Sequence, residues 1–386
     1  MTMTPQERVR TAMELGTPDQ VPVQCQMATG HILLHSGIDP IAESVDTAAY
    51  AESLWRMREL YDFDGMLMHK SGRDPHWLDD CTKKPVPDGW EFTFPEGCKV
   101  RVQRDDDPIF FPAPGFEWPT IEDIDTDNPL LGHFSGGYLK WHLFKNTHPY
   151  HKVDDIPEYW YGCIDYLKDK SQGRYSIHGE TRGPFDHALN LLSAENMMIA
   201  LLTEREKVHK LLEWATKSSI IWSVAQVRRG CDAIKISSPW VGAGLISPED
   251  YKEFVVPYEQ ALARAVRAEG GFIYTHTCGA ISDRLEMIME CGVNGIECLD
   301  PPPLGNVELT DAIQRTKGKI FIKGNVDSVH TLLNKDIAGV KTDVRRVVET
   351  AAPGGGFICS SACSIAPHVK PDNIKAMVET AREFRY

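Results

Sequence analysis

Gly271-Phe272-Ile273-Tyr274-Thr275-His276-Thr277-Cys278-Gly279 is the stretch that decides how this chain is read. Its apolar, aromatic and β-branched start predicts a strand over Gly271–Thr275. In an extended segment, residues i and i+2 face the same side. His276 and Cys278 therefore aim an imidazole and a thiol into one space, and Gly279 lets the backbone turn. A second run of this kind, Gly356-Phe357-Ile358-Cys359, precedes Cys363. One histidine and two cysteines form the ligand set of a zinc site with one position open, as catalytic zinc requires. Packing is the competing reading, because cysteine is among the most buried residue types and the chain has ten.

Outward from this stretch, short apolar runs alternate with amphipathic helical patterns. Further strands are expected at Val21–Gln26, Gly65–His69, Tyr175–Gly179, Ala233–Ser237, Gly295–Leu299 and Ile320–Lys323. With the two runs above they make eight. Ser247-Pro248-Glu249-Asp250 opens a helix with a cap, a proline at the first position and acids in the first turn. Phe254, Tyr258, Leu262 and Val266 mark one face of it, and Pro257 is expected to kink it. Eight strand–helix alternations predict an α/β chain folded as a (β/α)8 TIM barrel, whose site lies at the C-terminal ends of the strands. His276, Cys278 and Cys363 are expected just past the ends of the fifth and eighth strands, close together across the mouth.

The alternation fails from about 71 to 170, after the second strand. Trp77, Trp90, Phe92, Phe94, Phe110, Phe111, Phe116, Trp118, Trp141, Tyr159, Trp160 and Tyr161 crowd there, with a hairpin predicted around Pro95-Glu96-Gly97. An aromatic-rich insertion at this point projects over the mouth, either as an accessory core or as a lid with aromatic walls. The whole chain, 1–386, is expected to be one barrel domain carrying this insertion.

Hydrophobic content of 42% and charged content of 25% are those of a soluble globular protein. No apolar run is long enough to span a bilayer, and the first residues lack the plan of a signal peptide. A cytoplasmic location with reduced thiols is expected. The net charge of −14, without a Lys/Arg cluster, argues against nucleic acid as a partner.

The chain resembles the uroporphyrinogen decarboxylase superfamily, in its cobamide-dependent methyltransferase branch. The likeness runs through Glu7-Arg8-Val9, Thr17-Pro18-Asp19-Gln20-Val21-Pro22-Val23, Gly183-Pro184-Phe185 and Ile246-Ser247-Pro248. It ends on His276-Thr277-Cys278-Gly279 and on Cys363-Ser364-Ile365 before Pro371-Asp372-Asn373-Ile374. The resemblance implies zinc on His276, Cys278 and Cys363. It also implies a corrinoid carried by a separate partner protein, since no Asp-x-His-x-x-Gly segment occurs in the chain. Two departures stand out. Gln24-Cys25-Gln26-Met27-Ala28-Thr29-Gly30-His31 lacks the arginines that grip porphyrin carboxylates, and Ala362-Cys363-Ser364 replaces a Gly-Cys-Gly-like turn.

Within that branch, the expected reaction moves a methyl group from a small molecule, an aromatic methyl ether, to the cobalt of the corrinoid protein. Methylation of a thiol such as coenzyme M by the methylated corrinoid is the alternative. A metal-independent decarboxylase and a non-enzymatic zinc-binding barrel are further rivals. Glu297, ending the sixth strand, is a candidate fourth ligand, an anchor for His276, or a paired rim carboxylate. His31, His69 and His178 are candidates to orient substrate or act as general acids, against the reading that they are structural. Asn325 and Asp327 either line the site or cap the next helix, and Cys291 and Cys298 read as packing thiols.

Overall fold

The computed structural model describes residues 2–134, 136–142 and 147–386. Ser135 and residues 143–146 of the expected insertion lie outside the described residues. Seven parallel strands form one curled sheet in sequential order: β1 (Gly65–Leu67), β6 (Ser176–Arg182), β7 (Ala233–Ser237), β8 (Phe272–Thr277), β9 (Gly295–Cys298), β10 (Phe321–Val326) and β11 (Phe357–Ser361). Each strand from β6 onward is followed by helix before the next, the sequential pattern of a barrel wall.

The expected first strand, Val21–Gln26, is not one. This stretch lies between the sheet's two edges and touches each only locally. The Cys359 amide donates to the Pro22 carbonyl, Gln24 N donates to the Cys359 carbonyl, and Asp64 N donates to the Val23 carbonyl. Two features interrupt the ladder. Pro22 has no amide to give, and the Val23 amide is taken by the Asp64 carboxylate at 2.8 Å. The ring is thus completed by an irregular segment.

The helix Pro5–Met13 closes the bottom. Thr4 and Glu7 form a reciprocal capping box at its start. Its Val9, Ala12 and Met13 pack against Ala233, Tyr274, Phe321 and Ile358 from four strands. Arg8 anchors it through ion pairs to Asp19 at 2.6 Å and Asp64 at 2.8 Å. The kink expected at Pro257 is a break: helix Pro248–Phe254 ends and helix Val256–Ala268 begins one residue later.

Between β1 and β6 the chain builds a separate antiparallel sheet of β2 (Thr82–Val86), β3 (Gly89–Thr93), β4 (Lys99–Gln103) and β5 (Ile109–Phe111). Its own small core holds Trp77, Phe92, Phe94, Val100, Val102 and Trp141. With Trp90 and Phe110 packed against it, and Trp160 and Tyr161 in the main core, most of the crowded rings are structural. Among the described residues no helix is long and apolar enough to cross a membrane.

Candidate metal centre

Strand register fixes the site. Arg182, Ser237, His276 and Glu297 are paired in sequence across β6, β7, β8 and β9, so their side chains share the inner face. His276 lies inside β8 as its penultimate residue, one turn of pleat deeper than expected. Cys278 follows the strand end. Gly279, at φ 76°, turns the chain and donates its amide to Asp300 at 2.8 Å. Cys363 sits in the loop after β11. Ser328 holds this loop by accepting from the Cys363 amide at 3.0 Å and donating to its carbonyl at 3.1 Å.

These elements bring the three expected ligands together. His276 Nε2 lies 3.3 Å from Cys278 Sγ and 4.0 Å from Cys363 Sγ, and the two sulfurs are 3.8 Å apart. Cys298 joins them, with all four donor atoms within 4.8 Å of one another. Cys298, expected as a packing thiol, is wholly buried but has its sulfur in this cluster. By strand alternation it should face away from Glu297, but its φ of 91° and the 54° of Leu299 turn it back inward. Asn325 supports this bend by donating to the Leu299 carbonyl at 3.0 Å.

The donor set suits zinc. Two sulfurs each about 2.3 Å from a tetrahedral zinc stand about 3.8 Å apart, and the Cys278–Cys363 separation matches that spacing. The hydrogen bonds from Cys278 and Cys298 hold the Cys363 thiol far below its ordinary range despite burial. Burial, followed by hydrogen bonds with Cys278 and Cys363, pushes Cys298 well up. The cluster thus already favours a thiolate at Cys363.

Glu297 is not in the donor cluster. Its Oε2 accepts from His276 Nδ1 at 2.9 Å, which leaves Nε2 facing the sulfurs. Its Oε1 pairs with Lys323 Nζ at 2.5 Å, and both groups are almost wholly buried. Burial alone would raise the Glu297 carboxyl, but Lys323, His276 and Lys235 outweigh it and hold the group well below the usual carboxylate range. For His276 burial pulls the other way, and the bonds to Cys278, Cys363 and Glu297 outweigh it.

A cavity of about 360 Å³ opens at the strand ends, reaching from Gln26 and Ser364 to His69, Glu180, Arg182 and Asp186. His69 lies in its wall, its Nδ1 2.6 Å from Glu180, which also pairs with Lys235 at 2.8 Å. Lys235 in turn donates to Gln26 at 2.7 Å, and Gln26 to Ser364 at 2.6 Å, next to Cys363. Of the twelve rings singled out between 71 and 170, Trp141 alone lines this cavity.

Three other candidates lie away from the cavity. His31 is enclosed in its helix, its ring bonded to Tyr61 at 2.7 Å and facing the carbonyls of Ala366 and Pro367. Burial, then His35, lowers it to about 4, so it stays neutral. His178 is the third residue of β6, inside the expected strand, bonded to Tyr274 at 3.0 Å and Ser176 at 3.1 Å. Asp327 caps the turn Ser328–Leu333 by accepting from Val329 and His330 amides.

Sequence reasoning passed over Lys235, Lys323 and Glu180. The signal was present for the two lysines: each is a lone charge in its strand, in the same phase as the inward residues, whereas Glu180 sits in a polar strand beside His178 and Arg182.

With this geometry in place, comparison with known proteins is informative. The family described as uroporphyrinogen decarboxylase (URO-D) matches residues 136–384. The chain is 28% identical over 224 residues to a methylcobamide:CoM methyltransferase MtbA of Methanosarcina acetivorans, covering 58% of this chain and 63% of that protein. It is 25% identical over 225 residues to a methylcobamide:CoM methyltransferase MtaA of Methanosarcina barkeri, covering 58% and 62%. A uroporphyrinogen decarboxylase of Legionella pneumophila is 26% identical over 216 residues, 54% of this chain and 55% of its own length. The matches thus span less than two thirds of these relatives. The solved structure of a methyltransferase from Methanosarcina mazei superposes over 99% of both chains with a TM-score of 0.74 at 21% identity, which is the same fold.

Proposed function

Since the chain belongs to the uroporphyrinogen decarboxylase family, we propose that it is the member that exchanges a methyl group, at a zinc site, between a small molecule and the cobalt of a separate corrinoid protein. The observation that carries this reading is the convergence of His276, Cys278 and Cys363 at the strand ends. Zinc bound there supplies Lewis acidity to the atom that gains or loses the methyl group.

The chain's own residues do the rest. Glu297 fixes the His276 tautomer, and Lys323 keeps Glu297 ionised, so Nε2 is presented to the metal position. Cys298, rather than Glu297, stands as the nearest further donor. The Lys235–Gln26–Ser364 chain holds the Cys363 loop at the cavity edge. Exposed Trp240, Leu245 and Leu304, in loops after β7 and β9, offer apolar surface at the rim for the corrinoid protein. The chain works in this reading as one domain, 1–386, in the cytoplasm, with the 71–170 segment as an accessory to the mouth.

Two partners for the methyl group fit. Methylation of a thiol such as coenzyme M is favoured by the names of the Methanosarcina relatives and by the polar cavity wall. Demethylation of an aromatic methyl ether is the second reading, supported by Trp141 and Trp240 in that wall. A paired assay decides between them: methylcobalamin with coenzyme M against cob(I)alamin with methoxyarenes, each followed by the cobalamin spectrum with added zinc. Activity in neither assay, with corrinoid protein supplied, would refute methyl transfer.

A further inference from the structure

The cavity beside the metal centre contains an unbalanced charge. Its wall carries three basic side chains and two of them are committed. His69 holds Glu180 at 2.6 Å, and Lys70 lies 3.6 Å from Glu43. Arg182, the last residue of β6, has no carboxylate oxygen within 4.0 Å of its guanidinium among the described residues. Glu180, the nearest strand carboxylate in sequence, is already shared between Lys235 and His69. A guanidinium drawn out of bulk water without a counter-charge is costly unless a ligand supplies one.

Asp186 does not supply it. It stands in the first turn of helix Pro184–Leu192, which follows β6 directly, and lines the same cavity. It is 2% exposed. Its Oδ1 accepts from the Trp240 amide at 3.2 Å, while Oδ2 is buried without a hydrogen-bond partner. Burial raises its carboxyl well above the ordinary aspartate range, against the pull of Arg182, which favours the protonated form able to donate. A free cation and a buried donor without an acceptor, in one wall, describe a site for an oxyanion.

We propose that Arg182, with Asp186 beside it, binds the carboxylate or sulfonate of the small molecule that exchanges its methyl group at the metal centre. The inference rests on the methyl-transfer reading for the role of that molecule, though not for its charge. Register supplies the spacing. Arg182 pairs with Ser237 and Ser237 with His276, two strand intervals, or about 10 Å between the outer Cα atoms. Arg182 lines the cavity together with Ser237, the register partner of His276, and Ser364, the neighbour of Cys363, so the acid group and the reacting atom are separated by a short chain or a single ring. The ligand is therefore a small acid, and a neutral thiol or ether leaves Arg182 without its counter-charge.

Binding by the full-length chain, without any corrinoid protein, tests this by calorimetry. The probes are 2-mercaptoethanesulfonate against 2-mercaptoethanol, and 4-methoxybenzoate against 4-methoxybenzamide. At least one acid should bind tenfold or more tightly than its neutral counterpart, and which acid does so identifies carboxylate or sulfonate. Arg182→Gln should abolish the preference and Arg182→Lys should retain part of it, with unfolding temperature and metal content kept as controls. Equal binding of acid and neutral forms, no binding of either acid at millimolar concentration, or a preference that survives in Arg182→Gln would each overturn the proposal. Should Arg182→Gln fail to fold, a weakened preference in Arg182→Lys and in Asp186→Ala supports the proposal, and an unchanged preference in both overturns it. Repeating the series on chelator-treated protein separates the two readings: the acid preference persists if Arg182 carries it, whatever becomes of methyl transfer.

Discussion

Replacing Glu297 by glutamine should separate what this residue does for the fold from what it does for the metal. The carboxylate is 1% exposed and accepts from Lys323 at 2.5 Å and from His276 at 2.9 Å. Glutamine keeps an oxygen for His276 but leaves Lys323 buried without a counter-charge, with Tyr274 at 3.4 Å its remaining contact. Breaking one side of a buried pair costs about 3–5 kcal/mol. With an unfolding entropy of about 2.1 cal/mol/K per residue over 386 residues, that is a loss of roughly 4–6 °C in Tm. Zinc affinity should fall about 10- to 100-fold, because His276 loses the anion that orients it and raises its basicity. Adding Lys323→Met should recover most of the stability, since an apolar pair often replaces a buried ion pair at little cost, but none of the zinc affinity. Glu297 is held below its ordinary value of 4.5, so its contribution is complete above that pH and is lost as the pH falls through the folded value. The gap between wild type and Glu297→Gln should therefore narrow in acid. The assays are denaturant unfolding of metal-free protein and competition with a chromophoric chelator. Unchanged zinc affinity in Glu297→Gln, or a double variant no more stable than the single, would refute the reasoning. Loss of an oxygen neighbour from the zinc X-ray absorption spectrum would make Glu297 a ligand instead.

Cys363→Ala should sharply lower zinc content, whereas Cys359→Ala, wholly buried between strands, should lower stability by about 1–2 kcal/mol at unchanged zinc; equal zinc content in the two variants would undo the assignment. Absorption spectroscopy on zinc-loaded protein should count two sulfurs, from Cys278 and Cys363, with one position left open; a third sulfur that is lost in Cys298→Ser would make Cys298 a ligand and close the site. Glu259, buried and bonded to Ser238 at 2.6 Å, is pushed up to about 7 by burial from an ordinary 4.5. Its folded form holds its proton longer than the unfolded chain does, so it costs stability progressively between those two values. Glu259→Gln should therefore be near neutral at pH 5 and stabilising by up to about 3 kcal/mol at pH 8, and a stability difference independent of pH would count against it. Arg8→Met should cost about 3 kcal/mol, the low end for a broken buried pair, because Arg382 still reaches Asp64 at 3.4 Å; no change in denaturant midpoint would mean that the bottom helix is not held by its charges.

Much of the architecture was legible because strand and helix periods are local properties. Ala233–Ser237 matches the expected run, and six other runs were found with ends shifted by a few residues. His276 and Cys278 could be assigned to one face for the same reason, as alternation is set by the pleat. What alternation cannot report is where it stops. Cys298 enters the cluster because two consecutive residues take left-handed backbone angles that side-chain type does not encode. Val21–Gln26 had the composition of a strand, yet Pro22 and the Asp64 carboxylate removed its ladder bonds. His31 and His178 carried the right chemistry at plausible positions, and only packing placed one against Tyr61 and the other beneath the mouth.

The sequence by itself determined that an imidazole and a thiol share a strand end, that a late cysteine follows another strand, and that the strands are parallel and helix-wrapped. The tertiary structure alone decided which charges meet. Lys323 finds Glu297, Lys235 finds Glu180, and Arg182 has no carboxylate oxygen within 4.0 Å among the described residues, because these pairings depend on the register between strands far apart in sequence. Burial makes each pairing consequential. In water the same charges would be screened and interchangeable, while inside the ring an unmatched one must be paid for by stability or satisfied by a ligand.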